Sequence, residues 1–204
     1  MKTITKEFQV YSFAELSPEA KKKALEDFRD IDTNDSYWST RLIEDVIAPK
    51  LEANGFIKPD VSFSGFGSQG DGASFTVDSI DIGLLGKALN YPQADIDIIA
   101  EAMIDGTVTA TITRSNNGHY VHESMCSFDL DVDWGMQSEQ EAESLSVICD
   151  LFAEQAENLR YKLCKQAYSA LSDEYTELTS DTHVQEYIEE NDIHFLADGS
   201  TFND

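Results

Sequence analysis

Three aspartates alternate with apolar residues in the segment Asp129-Leu130-Asp131-Val132-Asp133. On a β-strand, alternate side chains share a face and lie about 6.6–6.8 Å apart. This separation is about twice the rise per nucleotide of one DNA strand, so the row could imitate a row of phosphates. The same pattern suits a strand that turns its aspartates to solvent, or a divalent cation site without the Gly and Glu of an EF-hand loop. We take Asp129, Asp131 and Asp133 as candidate partner-binding residues.

A second candidate site is glycine-rich and contains the pattern Gly-x-Gly-x-x-Gly over residues 65–70. In dinucleotide-binding proteins a helix follows this pattern, because its N-terminus holds the pyrophosphate. Residues 73–77 instead predict a strand, since they are rich in β-branched and aromatic side chains. The kinase form of the pattern needs further lysine, HRD-type and DFG motifs, which the chain lacks.

The glycine-rich stretch is therefore predicted to be a hairpin loop in which glycines accept positive φ angles. Alternatively it is a recognition loop. In that case the side chains presented to a partner would be those of Ser68, Gln69 and Asp71.

Residues with catalytic or metal-binding potential occur without a supporting pattern. His119 and His122 are three positions apart, which places them on opposite faces of a strand. No nucleophile elbow or zinc-protease motif is present, and the three widely spaced cysteines predict reduced thiols. We expect a protein that is not an enzyme and has no cofactor and no metal. An enzyme or a metal-binding protein remains the third alternative.

The chain carries 39 acidic residues against 14 basic ones, a formal net charge of −25 over 204 residues. Residues 88–159 hold 14 acids and one base, Arg114, and residues 166–204 hold 10 acids and no lysine or arginine. Affinity for nucleic-acid phosphates comes from lysine and arginine, so nucleic acid is not expected as a direct partner. An anionic membrane is not expected for the same reason. A basic protein surface is the favoured partner.

A capping box at Ser138-Glu139-Gln140-Glu141 predicts the start of a helix of about 40 residues, unless it breaks once. Its apolar positions recur every three or four residues: Leu145, Ile148, Phe152, Ala156, Leu159, Leu163, Ala167, Leu171, Tyr175 and Leu178. This stripe either covers a sheet or forms a partner or homodimer interface. Glu139, Glu141 and Glu143, at the start of the helix, are added to the candidate partner-binding residues.

Other elements follow from alternation, capping and turn residues. Strands are predicted at 3–11, 61–66, 73–82, 106–112 and 120–134, and helices from Pro18, at 37–54 with a kink or stop at Pro49, at 84–89, 93–104 and 181–190. A turn is predicted at Asn116-Asn117-Gly118 and a small hairpin at 194–202. The pattern indicates an α+β fold, with a mostly antiparallel sheet and helices packed on one face. We expect a single domain over 1–204, with a possible sub-boundary near 135–138.

The chain shows no signal peptide and no run of 18 apolar residues, so the expected location is the cytoplasm.

Two segments resemble a group of small acidic, antitoxin-like proteins of tailed phages. They are Phe8–Lys21, which reads FQVYSFAELSPEAK, and Ser64–Phe75, which reads SGFGSQGDGASF. The resemblance covers roughly residues 4–75. It implies a phage accessory role, such as neutralising a toxin or a host defence system or adjusting a host enzyme, and it implies no catalytic residues.

The leading hypothesis is a non-enzymatic phage inhibitor that acts in the host cytoplasm. Its partner would be a basic, nucleic-acid-binding host or defence protein, such as a CRISPR effector, a nuclease or a toxin. The acidic face would occupy the groove that normally takes DNA or RNA. The alternative is a binding protein that acts through the loop of residues 65–72, with acidity serving solubility alone.

Overall fold

The structure is a computed structural model that describes residues 1–3, 6–115, 121–133 and 139–202, without the side chains of 139–142. The helices are α1 (Pro18–Phe28), α2 (Tyr37–Leu42), α3 (Ala48–Glu52), α4 (Ile82–Leu89), α5 (Gln93–Ile104), α6 (Glu139–Leu178) and α7 (Asp181–Glu190). The strands are β1 (Phe56–Phe63), β2 (Ala73–Ile80), β3 (Val108–Arg114) and β4 (Cys126–Val132). The α+β class is confirmed. The strands form two separate antiparallel hairpins, β1–β2 and β3–β4.

The chain divides into two compact units. The central unit comprises residues 40–171, and the terminal unit combines residues 1–39 with 172–204. The sub-boundary expected near 135–138 falls outside the described residues. Within the described part of the chain, no helix is long and apolar enough to cross a membrane.

The central unit has an aromatic core. Phe56 of β1 and Phe75 of β2 are 0% and 1% exposed, and their rings meet edge to face with centroids 5.1 Å apart. Phe128 of β4 is also buried. Each hairpin thus buries one face, as the alternation of apolar and polar residues along a half-buried strand requires.

Helix α6 is continuous over 40 residues, so the predicted long helix is confirmed and does not break. The stripe positions that are buried are Leu145, Phe152, Ala156, Leu163, Ala167 and Leu171. Burial of this stripe within the chain supports its interpretation as a core-covering face. The predicted capping residue Ser138 lies outside the described residues.

Pro49 lies within one continuous helical segment, as predicted, and produces a local widening rather than a stop. Residues Ile43–Ile47 form a π-helical turn between α2 and α3, and the Ala48 amide donates to the Ile43 carbonyl. A proline has no amide hydrogen for the carbonyl four residues earlier and its ring crowds that carbonyl. A π turn immediately before the ring accommodates both effects.

The terminal unit has its own core, in which α1 and α7 bury side chains around Phe195. The Ser17 hydroxyl caps α1 and the Ser180 hydroxyl caps α7. The bounds of α7 are those predicted. The tail hairpin is reduced to a single bridge, Phe195 with Thr201, around a turn at Gly199 with φ +82.

The strand predicted at residues 3–11 is wrong. Of the residues in this segment that the structure describes, only Tyr11 pairs, with Phe195, while residues 6–10 are exposed and outside any strand. Alternation of apolar and polar residues permits a strand, but pairing also needs a free sheet edge alongside it. The strand predicted over 120–134 is shorter, because a 3-10 turn occupies Glu123–Met125 before β4 begins. The turn predicted at 116–118 lies outside the described residues.

Candidate functional site

The acidic face is the exposed side of β4. Asp129 and Asp131 are both exposed, and their register partners on β3 are Thr111 and Thr109. Asp133 follows the strand and is also exposed, with its amide donating to the Thr107 carbonyl over 2.8 Å. The predicted placement of the three aspartates toward solvent is what the structure shows.

The neighbours of these aspartates are hydroxyl groups. The Ser127 hydroxyl donates to the Asp129 carboxylate over 3.0 Å and lies 3.1 Å from the Thr113 hydroxyl. Among the residues that the structure describes, no lysine or arginine forms an ion pair with Asp129 or Asp131. Asp129 and Asp131 therefore present carboxylates that pair with no lysine or arginine of the described chain.

Helix α6 packs against the other side of β4. Cys126 and Phe128, which alternate with the aspartates, are buried, and Arg160 of α6 donates to the Cys126 sulfur. The Phe128 amide donates to the Glu157 carboxylate over 2.9 Å, so a side chain of this helix satisfies one backbone amide of β4. Since alternate side chains point to opposite faces, the aspartates point away from this contact.

The helix residues that were predicted to belong to the same face are Glu139, Glu141 and Glu143. Glu143 of α6 is exposed. The side chains of Glu139 and Glu141 lie outside those that the structure describes. Because the aspartates of β4 point away from the side that α6 covers, the acidic face is defined here by Asp129, Asp131 and Asp133 alone.

The glycine-rich loop joins β1 to β2, so a strand and not a helix follows it, as predicted. Its base is closed by a hydrogen bond from the Ser64 amide to the Gly72 carbonyl, 3.0 Å long. Inside the loop, one carboxylate oxygen of Asp71 accepts from the amides of Ser68 at 2.6 Å and Gly67 at 3.0 Å. These two amides hold the pKa of Asp71 below its ordinary value, the Ser68 amide contributing most.

Aromatic rings support the loop from one side. Phe66 stacks on Phe63 with ring centroids 5.8 Å apart and on Tyr168 of α6 with centroids 5.7 Å apart. The Tyr168 hydroxyl donates to the Gly65 carbonyl over 3.1 Å. The loop is therefore anchored to the long helix by both a ring and a hydroxyl group.

The segment before β4 supports the loop from another side. The Ser64 hydroxyl donates to the Val121 carbonyl at 3.0 Å and accepts from the Val121 amide at 3.1 Å. A Cβ atom placed on Gly72 would lie 2.7 Å from the Cα of His122, so the backbone approaches too closely for any other residue.

Of the three predicted recognition residues, Ser68 and Gln69 are exposed at the tip of the loop. Asp71 is instead engaged with the amides of the loop. Two of these side chains are thus exposed to solvent, and the third stabilises the conformation of the loop.

A buried polar cluster was not predicted. The Arg160 side chain is fully buried and forms two hydrogen bonds of 2.6 Å with the Glu157 carboxylate. Its Nη1 atom lies 2.8 Å from the sulfur of Cys126 and 3.4 Å from that of Cys164. One signal was present in the sequence: Arg160 follows Ala156 by four positions and precedes Leu163 by three, which places it within the apolar stripe.

The two thiols of this cluster differ in acidity. A hydrogen bond from Cys164, together with the guanidinium of Arg160, lowers the pKa of Cys126 to about 6. Cys126 in turn raises the pKa of Cys164 far above its ordinary value, and burial adds to that effect. Cys149 lies elsewhere on α6, and burial raises its pKa to about 11.

Metal-binding residues do not converge in the part of the chain that the structure describes. There, no group of three or more His, Cys, Asp or Glu side chains is arranged to hold a metal ion. The imidazole Nδ1 of His122 accepts from the Ser124 amide, while His119 lies outside the described residues.

The geometry defines an α+β protein with two antiparallel hairpins on a long helix, an acidic strand face and an anchored glycine-rich loop. The model of the family described as "Domain of unknown function (DUF8835)" matches residues 38–181, and the chain belongs to this family. This match spans the whole central unit of residues 40–171. No curated protein and no solved structure matches the chain.

Proposed function

We propose that the protein is a non-enzymatic inhibitor that binds a basic, nucleic-acid-handling protein through its acidic face. The observation that carries the proposal is the exposed side of β4, where Asp129 and Asp131 stand two residues apart and form no ion pair with a described lysine or arginine. A site that normally binds phosphates contains lysine and arginine side chains, which can form ion pairs with these carboxylates.

Charge over the whole chain supports the same partner. A net charge of −25 produces a long-range negative field that accelerates encounter with a basic surface and slows encounter with an acidic one. Such association weakens as salt is added, because exposed charges more than about 8 Å apart are screened at physiological ionic strength.

The spacing of the carboxylates supplies the local part of the mechanism. Side chains two residues apart on a strand are separated by about 6.6–6.8 Å, close to twice the rise per nucleotide of a single strand. The threonines opposite them on β3 add hydroxyl groups that can donate to or accept from a partner. In this mechanism the face occupies a nucleic-acid groove and excludes the natural ligand.

The resemblance to tailed-phage proteins supports a biological setting for this activity. In the proposal the protein is phage-encoded, acts in the cytoplasm of the host cell, and neutralises a defence nuclease, a CRISPR effector or a toxin.

Affinity purification of the tagged protein from host lysate, at low and at moderate salt, tests the proposal. We expect a basic, nucleic-acid-binding protein, and we expect DNA or RNA to compete with it for the purified partner. Recovery of no such protein at either salt concentration would refute the idea.

A pair of double variants then separates position from net charge. D129N/D131N should weaken binding about 10-fold or more, because each charge pair across an interface contributes roughly 1 kcal/mol or more to the binding free energy. D150N/E154Q removes the same charge from exposed positions on α6 and should change affinity far less. Equal losses in both variants would show that net charge alone is responsible.

The glycine-rich loop supports a second candidate function, partner recognition through its tip. The specific observation is that Asp71 and Tyr168 hold the loop in one conformation while Ser68 and Gln69 stay exposed. A loop that is ordered beforehand loses less conformational entropy on binding. S68A/Q69A would then abolish binding to the purified partner, whereas D129N/D131N would leave it nearly unchanged.

A further inference from the structure

The buried cluster on α6 places two sulfur atoms beside one nitrogen. Both Cys126 and Cys164 lie within hydrogen-bonding distance of Nη1 of Arg160, at 2.8 Å and 3.4 Å. The two sulfurs therefore share one guanidinium nitrogen as a close neighbour, although the residues belong to different elements, β4 and α6. Both are free thiols in this structure.

The surroundings of the two sulfurs differ: they favour the thiolate on Cys126 and the protonated thiol on Cys164. The thiolate is the reactive form of cysteine, and a neighbouring guanidinium favours it. With the pKa of Cys126 at about 6, this residue is the nucleophile at neutral pH. Cys164 stays protonated and keeps its position against the Cys126 sulfur.

The cluster is only partly shielded from solvent. Glu157, which binds Arg160, has 38% of its side chain exposed, while Cys126 is 4% exposed. An oxidant therefore reaches the Cys126 sulfur when the structure around the cluster opens locally.

We propose that Cys126 and Cys164 are a redox-active pair that forms a reversible disulfide between β4 and α6 when the protein meets a hydroperoxide. This proposal is independent of the proposed binding function. It assigns a covalent modification site to the central unit.

The reaction proceeds in two balanced steps. With hydrogen peroxide, the Cys126 thiolate attacks one peroxide oxygen, the O–O bond breaks, and hydroxide leaves, which gives a sulfenic acid on Cys126. Cys164 loses its proton to the released hydroxide and attacks the sulfenic sulfur, so that the S–S bond forms and the sulfenic oxygen leaves as hydroxide. That hydroxide takes a proton from solvent. The thiol pair is oxidised by two electrons and the peroxide is reduced to water.

The guanidinium makes the bond easy to reduce. In the reduced protein Nη1 of Arg160 donates to the sulfur of Cys126, and in the disulfide this acceptor loses its negative charge. A buried donor that loses a charged acceptor destabilises the oxidised form. Disulfides with such stabilised reduced forms have higher reduction potentials and act as reversible bonds.

Cys149 is buried on the same helix, and replacing it leaves Cys126 and Cys164 as the two cysteines of the chain. In the C149S variant, the folded protein is treated with hydrogen peroxide, remaining thiols are blocked in denaturant, and the mass is measured. We expect a loss of about 2 Da before blocking, no blocked cysteine, and full recovery of two thiols with dithiothreitol.

Peptide mapping identifies the bond. Trypsin places Cys126 and residue 149 on the peptide 115–160 and Cys164 on the tripeptide 163–165, so in C149S a link between these peptides has one interpretation. C126S and C164S should both lose the link. If either fails to fold, the map of C149S still decides.

Three results would overturn the proposal. One is a mass gain of about 16 Da per oxygen without the 2 Da loss. Another is a 2 Da loss that persists in C164S, because Cys126 would then have paired with a cysteine other than Cys164. The last is a folded protein that keeps all its thiols under peroxide conditions that fully oxidise the same chain unfolded in urea.

Discussion

The Tyr168 hydroxyl donates a hydrogen bond to the Gly65 carbonyl, 103 positions earlier in the chain. The Tyr168 ring also stacks on Phe66, so one side chain of α6 fixes both the backbone and a ring of the glycine-rich loop. The two contacts can be separated by substitution.

Two substitutions of Tyr168 should lower the free energy of unfolding by different amounts. Y168F keeps the stacked ring and loses one hydrogen bond, for an expected cost of about 0.5–1.5 kcal/mol. Y168A also loses the ring contact with Phe66, and we expect about 2–3 kcal/mol. Urea denaturation of both variants measures the difference. Equal costs would mean that the stacked ring contributes nothing.

Two glycines of the loop should differ in how well they tolerate alanine. In G72A the new methyl group meets the backbone of His122 at 2.7 Å, and we expect a loss of about 2 kcal/mol or more. In G67A it meets nothing within 4 Å, and the change should stay within about 0.5 kcal/mol. Thermal unfolding distinguishes them, and a similar effect of both would contradict the close approach at Gly72.

The buried guanidinium of Arg160 should be among the most sensitive positions of α6. R160A leaves the Glu157 carboxylate without its partner and opens a cavity, so we expect a loss of about 3–5 kcal/mol. Lys162 is an exposed base two residues along the same helix, and K162A should cost less than about 0.5 kcal/mol. A tolerated R160A would show that the cluster does not hold β4 to α6.

The Cys126 thiolate should make stability depend on pH. Because its pKa is about 6 in the folded protein and 9.0 ordinarily, the unfolded chain binds more protons between these values. The stability that the thiolate contributes is therefore complete above pH 9.0, and it is lost as pH falls through about 6.

Urea titrations across this pH window, on the wild type and on C126S, measure the contribution. The difference in free energy of unfolding between the two proteins should grow with pH. The groups that set the response are Cys164, Arg160 and Glu157, which all contact or lie beside Cys126. Parallel curves for the two proteins would show that Cys126 does not ionise in this range.

Neutralising the acidic face should not destabilise the protein. D129N/D131N removes two exposed charges that no described cation offsets, so stability should stay level or rise by no more than about 0.5 kcal/mol at low salt. Chemical denaturation at low and high salt checks this. A clear loss of stability would mean that the aspartates have a structural task, and binding data on the variant would then need a different explanation.

The most predictable elements were those with local signals. Helix α7 follows from its Ser180 cap, and α6 follows from apolar residues spaced by three and four positions. Alternation also placed Asp129 and Asp131 on the exposed side of β4, because a strand that buries Phe128 must turn its neighbours outward.

The features that escaped prediction depend on contacts between distant segments. Residues 6–10 alternate as a strand does, but none of them lies in a strand, and the pairing partner in this segment is found at Tyr11. In the sequence, Arg160 is one of three neighbouring bases, with Lys162 and Lys165. Its contacts with Glu157 and Cys126 become visible only in the structure. Asp71 accepts hydrogen bonds from amides of its own loop. Whether it can do so depends on where those amides point, and this direction is set by backbone angles rather than by residue type.

The pairing of Tyr11 with Phe195 has a consequence for the order of synthesis. A ribosome adds about 5–20 residues per second, so on the order of ten seconds or more separate the appearance of these two residues. The central unit has left the ribosome before the N-terminal segment can find its partner. During this delay the segment exposes Phe13 and Leu16, which the finished protein buries, and it is then a target for chaperones and proteases.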